Sequence, residues 1–552
     1  MGGGKGGTRL FAIFLAVAVV LASCAGQGTS STTSDFRATG RAFVFGMSGD
    51  AAALDPWNVV DDNSLQVTQQ IFEPLVTYDA QSFEIKPNLA TSWQVSPDKK
   101  QWTFKLRQGV KFHDGTDFNS DAVVFNFDRA RRTDFKYRNS KPIADDYDYY
   151  QTMWGGLDDD SMITKVEAFD RYTVRFVTKT PFGPFLATLA MATFGIVSPA
   201  SIKADPDGWM LPGSNSAAGT GPFMFTVGSW SKDDRITLVR NPSYWKKDDK
   251  GEELPYASRV VLRAIPDASF RIAAMRSGEV DAIRDFSPTD LSSLKSDPRI
   301  TLLDRAPNNV GYLRFNTHEP PLDNPDVRRA IAMAIDREAI IREVYAGFAT
   351  PASQFLPPGM LGYDDSTRVY QPYAPDEARS LLNTVGIKFI LNLYYIPIAR
   401  PYFPDPKRVA ELIAADLEKV GVVVVLGTST DFATYRDEFK RNAMQAWLYG
   451  WTGDNGDPDN FLCTFFCNMT QNGRWDEPNA ERTVKLLRDA STETDPLKRS
   501  DLYRQASRTI QRAVPAVPIV HADVPVAVSR TVSGYFPHSK GSEVFTTVQI
   551  GR

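Results

Sequence analysis

Residues 389–426 read strand, helix, strand, and that segment limits the fold more than any other. An apolar extended run covers 389–396. Val409, Leu412, Ile413, Leu417 and Val420 then recur on one face of a helix over 406–420, Gly421 stops it, and four valines and Leu426 form a second extended run. Two strands joined through a helix predict a parallel pair with a right-handed crossover, and so a sheet covered by helices. The apolar run 444–451 is predicted to add a buried strand to that sheet. A helix is expected over 326–346, where Val327, Ile331, Ala334, Ile335, Ile341 and Val344 keep helical spacing and Gly347 follows, and a last helix near 496–512.

The first half has a different texture. Short strands are predicted at 42–45, 102–106, 172–177, 223–227 and 236–239, separated by turn clusters such as Ser96-Pro97-Asp98 and Asn241-Pro242-Ser243. One helix is expected among them, over 120–131, with Ser120 as its cap and Val123, Val124, Phe127 and Ala130 on its buried face. At 552 residues the length suggests three or four compact units, fewer if lobes are built from discontinuous segments. With 62 Lys and Arg against 66 Asp and Glu, the charge balance favours neither a nucleic-acid nor an anionic-lipid partner.

The N-terminus reads as a secretory leader. Lys5 and Arg9 precede an apolar run over 10–22 that is shorter than the roughly 20 residues needed to span a bilayer. Its end, Leu21-Ala22-Ser23-Cys24, resembles the lipobox of bacterial lipoproteins, in which the cysteine is lipidated and becomes the first residue; a conventional small-residue cleavage site is the other reading. The reading expected here is a leader over 1–23 and a lipid anchor on Cys24. A Gly/Ser/Thr-rich tether follows over 24–38, on a protein working outside the cytoplasm at a membrane it does not cross.

The segment from Leu89-Ala90-Thr91-Ser92-Trp93 through Trp102-Thr103-Phe104-Lys105-Leu106 to Phe112-His113-Asp114-Gly115 resembles the family 5 extracellular solute-binding proteins, the peptide-type receptors of ABC importers. Gly219-Thr220-Gly221-Pro222-Phe223, Asn241-Pro242-Ser243-Tyr244-Trp245 and the run from Pro321 to Ala330 match in the same order. Arg400-Pro401-Tyr402 and the run from Gly450 to Phe461 look like the dipeptide-binding members. The resemblance implies an α/β fold, a two-lobed clamp of the periplasmic-binding-protein type. Residues 39–306 with 523–552 would form lobe I, carrying an extra subdomain at about 88–215, and 307–522 would form lobe II. Hinge crossings would lie near 307–311 and 515–521. The implied function is capture of a dipeptide and its delivery to an ABC permease with ATPase subunits, by a monomer that needs no cofactor and performs no chemistry. Oligopeptides, glutathione, haem and nickel chelates are the alternative cargoes that relatives handle.

Arg400 follows one predicted strand and Asp454 another, and ligands of open α/β sheets bind beyond the carboxyl ends of the strands. By resemblance, Asp454 takes the α-ammonium of the ligand and Arg400 its α-carboxylate. The physics agrees: a guanidinium matches a carboxylate with two parallel hydrogen bonds, and a charge enclosed in a cleft must meet its opposite. Gly450, Trp451, Thr452 and Gly453 are expected to supply peptide groups and a wall, with Tyr402 beside Arg400. Asp457 and Asp459 read as turn formers.

A secreted hydrolase is the rival class, and its chemistry is weaker in the sequence. Ser229-Trp230-Ser231-Lys232 and Ser292-Ser293-Leu294-Lys295 fit S-x-x-K, but neither S-D-N nor K-T-G accompanies them, and the nucleophile-elbow, zincin and Walker patterns are absent. The four histidines are dispersed, and His113 is expected in a turn. An EF-hand register starting at Asn455 puts Asn460 where the obligatory glycine belongs, so no metal is expected there. Cys463 and Cys467 would form a local disulfide if 461–467 is helical; two free thiols or a metal site are the alternatives, and C-x-x-x-C alone lacks two ligands.

Overall fold

Ala42–Met47 is buried along its whole length, as a strand covered on both faces must be. In the computed structural model, Met1 and residues 42–79, 82–138, 147–205, 210–211, 217–367, 371–467, 475, 478–540 and 543–551 are described; the leader after Met1, Cys24 and the tether lie outside them. Ala42–Met47 pairs in parallel with Arg259–Ala264 and with Ala282–Ile283. It is the centre of a seven-stranded sheet that also takes in Phe223–Ser231, Arg235–Arg240, Ile300–Leu303 and, from the far end of the chain, Val526–Ser529.

A second, six-stranded sheet runs in the order Ala349–Pro351, Ala516–Ala522, Asn309–Phe315, Ala446–Thr452, Ile390–Tyr394, Val423–Gly427. Its last two strands are parallel, from Ile390 opposite Val423 to Tyr394 opposite Gly427, as the strand-helix-strand segment predicts. The connecting helix is Pro406–Lys419, capped by the Asp405 carboxylate accepting Arg408 N–H at 3.0 Å, and it buries Val409, Ile413 and Leu417. A four-stranded antiparallel sheet, Ala90–Val95, Gln101–Leu106, Thr173–Thr178 and Ile163–Asp170, stands apart from both. Alternation in Gln101–Leu106 turns Trp102, Phe104 and Leu106 inward, with Trp102 stacked on Phe185 at 4.7 Å.

Each large sheet has its own apolar core. Phe43, Phe45 and Trp57 belong to one, and Leu313, Ile331, Ile413 and Trp447 to another. The molecule is a two-lobed α/β clamp. Between the sheets the chain passes twice, through 304–308 and through 523–525. Gly311 and Ala516 to His521, expected at those crossings, instead lie inside strands of the second sheet.

Two further expectations are corrected. The helix expected over 326–346 is two helices, Pro325–Ala334 and Arg337–Val344. The break occurs because Asp336 is engaged elsewhere: its N–H donates to Asp416 Oδ2 at 2.9 Å, and its carboxylate accepts Ala339 N–H at 2.9 Å as a new cap. The cap of Ser120–Arg131 is Asn119, whose Oδ1 accepts Ala122 N–H at 3.0 Å, while Ser120 Oγ donates to the Asp170 carbonyl at 2.6 Å.

Candidate ligand-binding site

Ala446–Thr452 is zipped along one edge to Asn309–Phe315, from Ala446 opposite Phe315 to Thr452 opposite Asn309. Along its other edge it meets Ile390–Tyr394 only at Ala446 and Trp447. Among the described residues, no strand covers that edge from Tyr449 to Thr452. This open stretch borders a cavity of about 360 Å³.

Arg400 and Tyr402 enter the cavity from a tight turn in which Arg400 and Phe403 exchange both backbone hydrogen bonds at 2.9 Å. The guanidinium lies 4.1 Å from the centroid of the Phe432 ring, which stacks on Tyr449. Arg400 Nε is buried without a hydrogen-bond partner among the described residues. Tyr402 is buried against Gly450: a Cβ on that glycine would stand 2.3 Å from Tyr402 Cδ2 and 2.5 Å from the Val310 carbonyl oxygen. Only a glycine lets this ring lie against the strand.

Asp454 lies two residues beyond the same strand. Its N–H donates to Asn460 Oδ1 at 2.9 Å, its Oδ2 accepts from Asn460 Nδ2 at 3.0 Å, and the Trp451 indole N–H reaches the same Asn460 oxygen at 2.8 Å. Burial pushes the Asp454 carboxyl above its usual range, while Asn460 and Lys540 pull it back. Asn460 is placed by the helix Pro458–Phe466, whose N-cap is Asp457. Asp457 is a buried ion-pair partner as well as a turn former, held by Arg499 through two hydrogen bonds at 2.8 and 2.9 Å. Asp459 is raised to about 7 by burial and by the neighbouring Asp457.

Thr452 and Gly453 also border the cavity, but the peptide groups of Gly453 are already taken: its N–H donates to the Asn308 carbonyl at 2.8 Å, and its carbonyl accepts from Asn308 Nδ2 at 2.7 Å. Cys463 and Cys467 lie outside the cavity, joined by a disulfide with Cα atoms 4.6 Å apart at the end of the same helix. His113 ties down the glycine turn, its Nε2 lying 2.9 Å from the Gly221 carbonyl.

The opposite wall comes from the other lobe, through Asp62, Leu65, Tyr149, Met191 and Lys540. Sequence reasoning missed all five, and Asn460 as well. Asn460 had one local signal, an Asp-Pro helix start that puts it on the first turn; Lys540 had none, because only the return of the chain after the second crossing brings it here. Burial pulls the Lys540 ammonium down to about 8 against the opposing pull of Asp454. Close by, the Tyr78 hydroxyl spans the two lobes, within hydrogen-bond reach of the Ala187 carbonyl and 2.5 Å from that of Asn455.

Two opposite charges, Arg400 and Asp454, thus border one cavity along an open strand edge. The model of the bacterial extracellular solute-binding proteins, family 5, middle region, matches residues 84–473. The chain is 36% identical to a dipeptide-binding protein of Escherichia coli K12 over 87% of its own length and 89% of the relative's. It is 33% identical to heme-binding protein A of Haemophilus influenzae over 97% and 98% of the two chains. The structure of HbpA2 from Haemophilus parasuis superposes with a TM-score of 0.83 at 32% identity, covering 93% of this chain and all of that one. The chain belongs to the bacterial extracellular solute-binding proteins of family 5.

Proposed function

We propose that this protein captures dipeptides by their two free termini and hands them to an ABC permease, doing no chemistry itself. What carries the reading is the placement of Arg400 and Asp454 on one cavity beside an open strand edge. A dipeptide is a zwitterion whose ends lie about 7 Å apart when extended. Asp454 would take the ammonium and Arg400 the carboxylate, while the free edge from Tyr449 to Thr452 would pair with the ligand's peptide group, as when a strand is added to a sheet. Such recognition reads termini and backbone and leaves side chains loosely specified. Two fixed counter-charges reject a blocked or longer ligand because one charge would then be enclosed unpaired. The cavity, about 360 Å³, is at the small end of the range for ligand sites, which favours a dipeptide over haem.

Calorimetry with Ala-Ala, its amide and its N-acetyl form tests the clamp. The free dipeptide is expected to bind at least about a hundredfold more tightly than either blocked form. Equal affinity for all three would remove the two-charge reading, and a tripeptide binding as tightly as Ala-Ala would favour oligopeptide cargo. The crossings 304–308 and 523–525 are the proposed hinges. The membrane address is a further part of the proposal, resting on the sequence around Cys24: the wild-type protein should partition into a detergent phase, and Cys24→Ser should stay in the aqueous one.

A further inference from the structure

The termini leave two charged groups of the cavity unused, Lys540 and Asp62. Lys540 Nζ is buried without a hydrogen-bond partner among the described residues, 5.5 Å from the Tyr78 ring centroid. It lies within the field of Asp454, although the two form no ion pair within 4.0 Å. Nor is its position a loose one. The Lys540 N–H donates to His538 Nδ1 at 3.1 Å, and three residues on, the Glu543 carbonyl accepts from the side-chain amides of Gln66, Gln69 and Gln70 at 2.8, 3.2 and 2.7 Å. An ammonium in an enclosed cavity without a partner is costly unless the ligand supplies one.

The cavity carries two cations, Arg400 and Lys540, and two anions, Asp454 and Asp62. Asp62 lies in the field of Arg284 of its own lobe, whose guanidinium donates to the Asp62 carbonyl at 3.3 Å and pairs with Asp285 at 3.5 Å, and neither Asp62 nor Asp454 comes within 4.0 Å of Lys540 as an ion pair. A neutral dipeptide satisfies Arg400 with its carboxylate and Asp454 with its ammonium. Lys540 would then confront the ligand's ammonium with no anion of its own. A carboxylate close to that ammonium would give Lys540 Nζ the partner it lacks.

We propose that Lys540 selects ligands whose first residue carries an acidic side chain, so that the residue held at Asp454 presents an ammonium to Asp454 and a carboxylate to Lys540. The inference rests on the dipeptide reading and deepens it by naming a substrate class.

Calorimetry of Ala-Ala, Glu-Ala and Ala-Glu against wild-type protein, Lys540→Met and Lys540→Gln tests both. Glu-Ala is expected to bind wild type about tenfold or more tighter than Ala-Ala, and tighter than Ala-Glu, which has the same net charge in the other order. In both variants, shown to be folded by their thermal transitions, the ratio of Glu-Ala to Ala-Ala should fall to within about twofold. If Ala-Ala binds wild type and Glu-Ala binds no better, the inference fails and the dipeptide reading stands. If Glu-Ala and Ala-Glu gain equally, Lys540 reads net charge and the positional assignment is overturned. If no dipeptide binds the wild type, both readings fall together.

Discussion

Asn460 grips Asp454 at both ends of the residue, accepting its backbone N–H at 2.9 Å and donating to its carboxylate at 3.0 Å. A carboxylate that receives one hydrogen bond from its own chain keeps lone pairs free for a ligand. Its direction is fixed by the helix start at Pro458, and that start is fixed by Asp457 and Arg499. The carboxylate proposed to take the ligand's ammonium is therefore set by a chain of contacts reaching back into the lobe.

Replacing Asn460 by Ala should leave Asp454 present but free to turn. Dipeptide affinity is expected to fall about tenfold, near the net contribution of one or two hydrogen bonds. Trp451 emission should shift as well, since its indole N–H loses its acceptor. Titration calorimetry and fluorescence on one sample check this; unchanged affinity with a shifted spectrum would mean that Asp454 is held without Asn460.

Gly450→Ala tests the contact between strand and tyrosine. The new methyl would meet Tyr402 Cδ2 at 2.3 Å and the Val310 carbonyl oxygen at 2.5 Å, and Val310 cannot withdraw because it is paired in the sheet. Tyr402 must move, taking the Arg400 turn with it. A loss of about 1–3 kcal/mol in urea denaturation is expected from overpacking, together with dipeptide affinity weakened beyond tenfold as the Arg400 turn shifts. Wild-type affinity in this variant would show that Tyr402 does not position Arg400.

Much of this site was legible from local pattern. Apolar periodicity over 389–426 gave a parallel pair and its helix, and Arg400 and Asp454 stand beyond strands predicted from short runs. Where the reading erred, a distant residue had taken over a local group. Asp416 claims the Asp336 N–H and divides a helix whose spacing is unbroken, and Asn308 occupies the Gly453 peptide groups. Lys540 was beyond reach for the same reason. Its place at the cavity depends on a second passage between lobes, and no periodicity within a window of residues records that passage.

Asp457 and Arg499 form a fully enclosed pair, with side chains 4% and 6% exposed and two hydrogen bonds at 2.8 and 2.9 Å. Asp457→Asn leaves the guanidinium buried without its counter-charge, so about 3–5 kcal/mol of stability should be lost. Urea denaturation at pH 7 measures it. Arg499→Lys should be nearly as damaging, because an ammonium cannot reproduce the two-pronged contact; a mild effect of both changes would show that water reaches the pair.

Acid should destabilise the fold partly through His521. It lies fully buried in Ala516–Ala522, with Nδ1 2.7 Å from the Asn309 carbonyl, and burial pulls it down to about 4. An unfolded histidine titrates near 6.5, so below that pH the unfolded chain takes up a proton that the folded one refuses. The stability from neutral His521 is therefore present above about pH 6.5 and lost as pH falls toward 4, by roughly 3 kcal/mol at most. Asp459 has the opposite sign. Because burial holds it near 7, its folded form keeps a proton that the unfolded chain has already released, so its contribution is lost as pH rises from 3.8 through 7. Urea midpoints at pH 4.5 and 7.5 separate the two. From the higher pH to the lower, His521→Gln should lose less stability than wild type, while Asp459→Asn should exceed wild type by more at 7.5 than at 4.5. Parallel profiles for all three proteins would mean that neither group stays buried in the uncharged form.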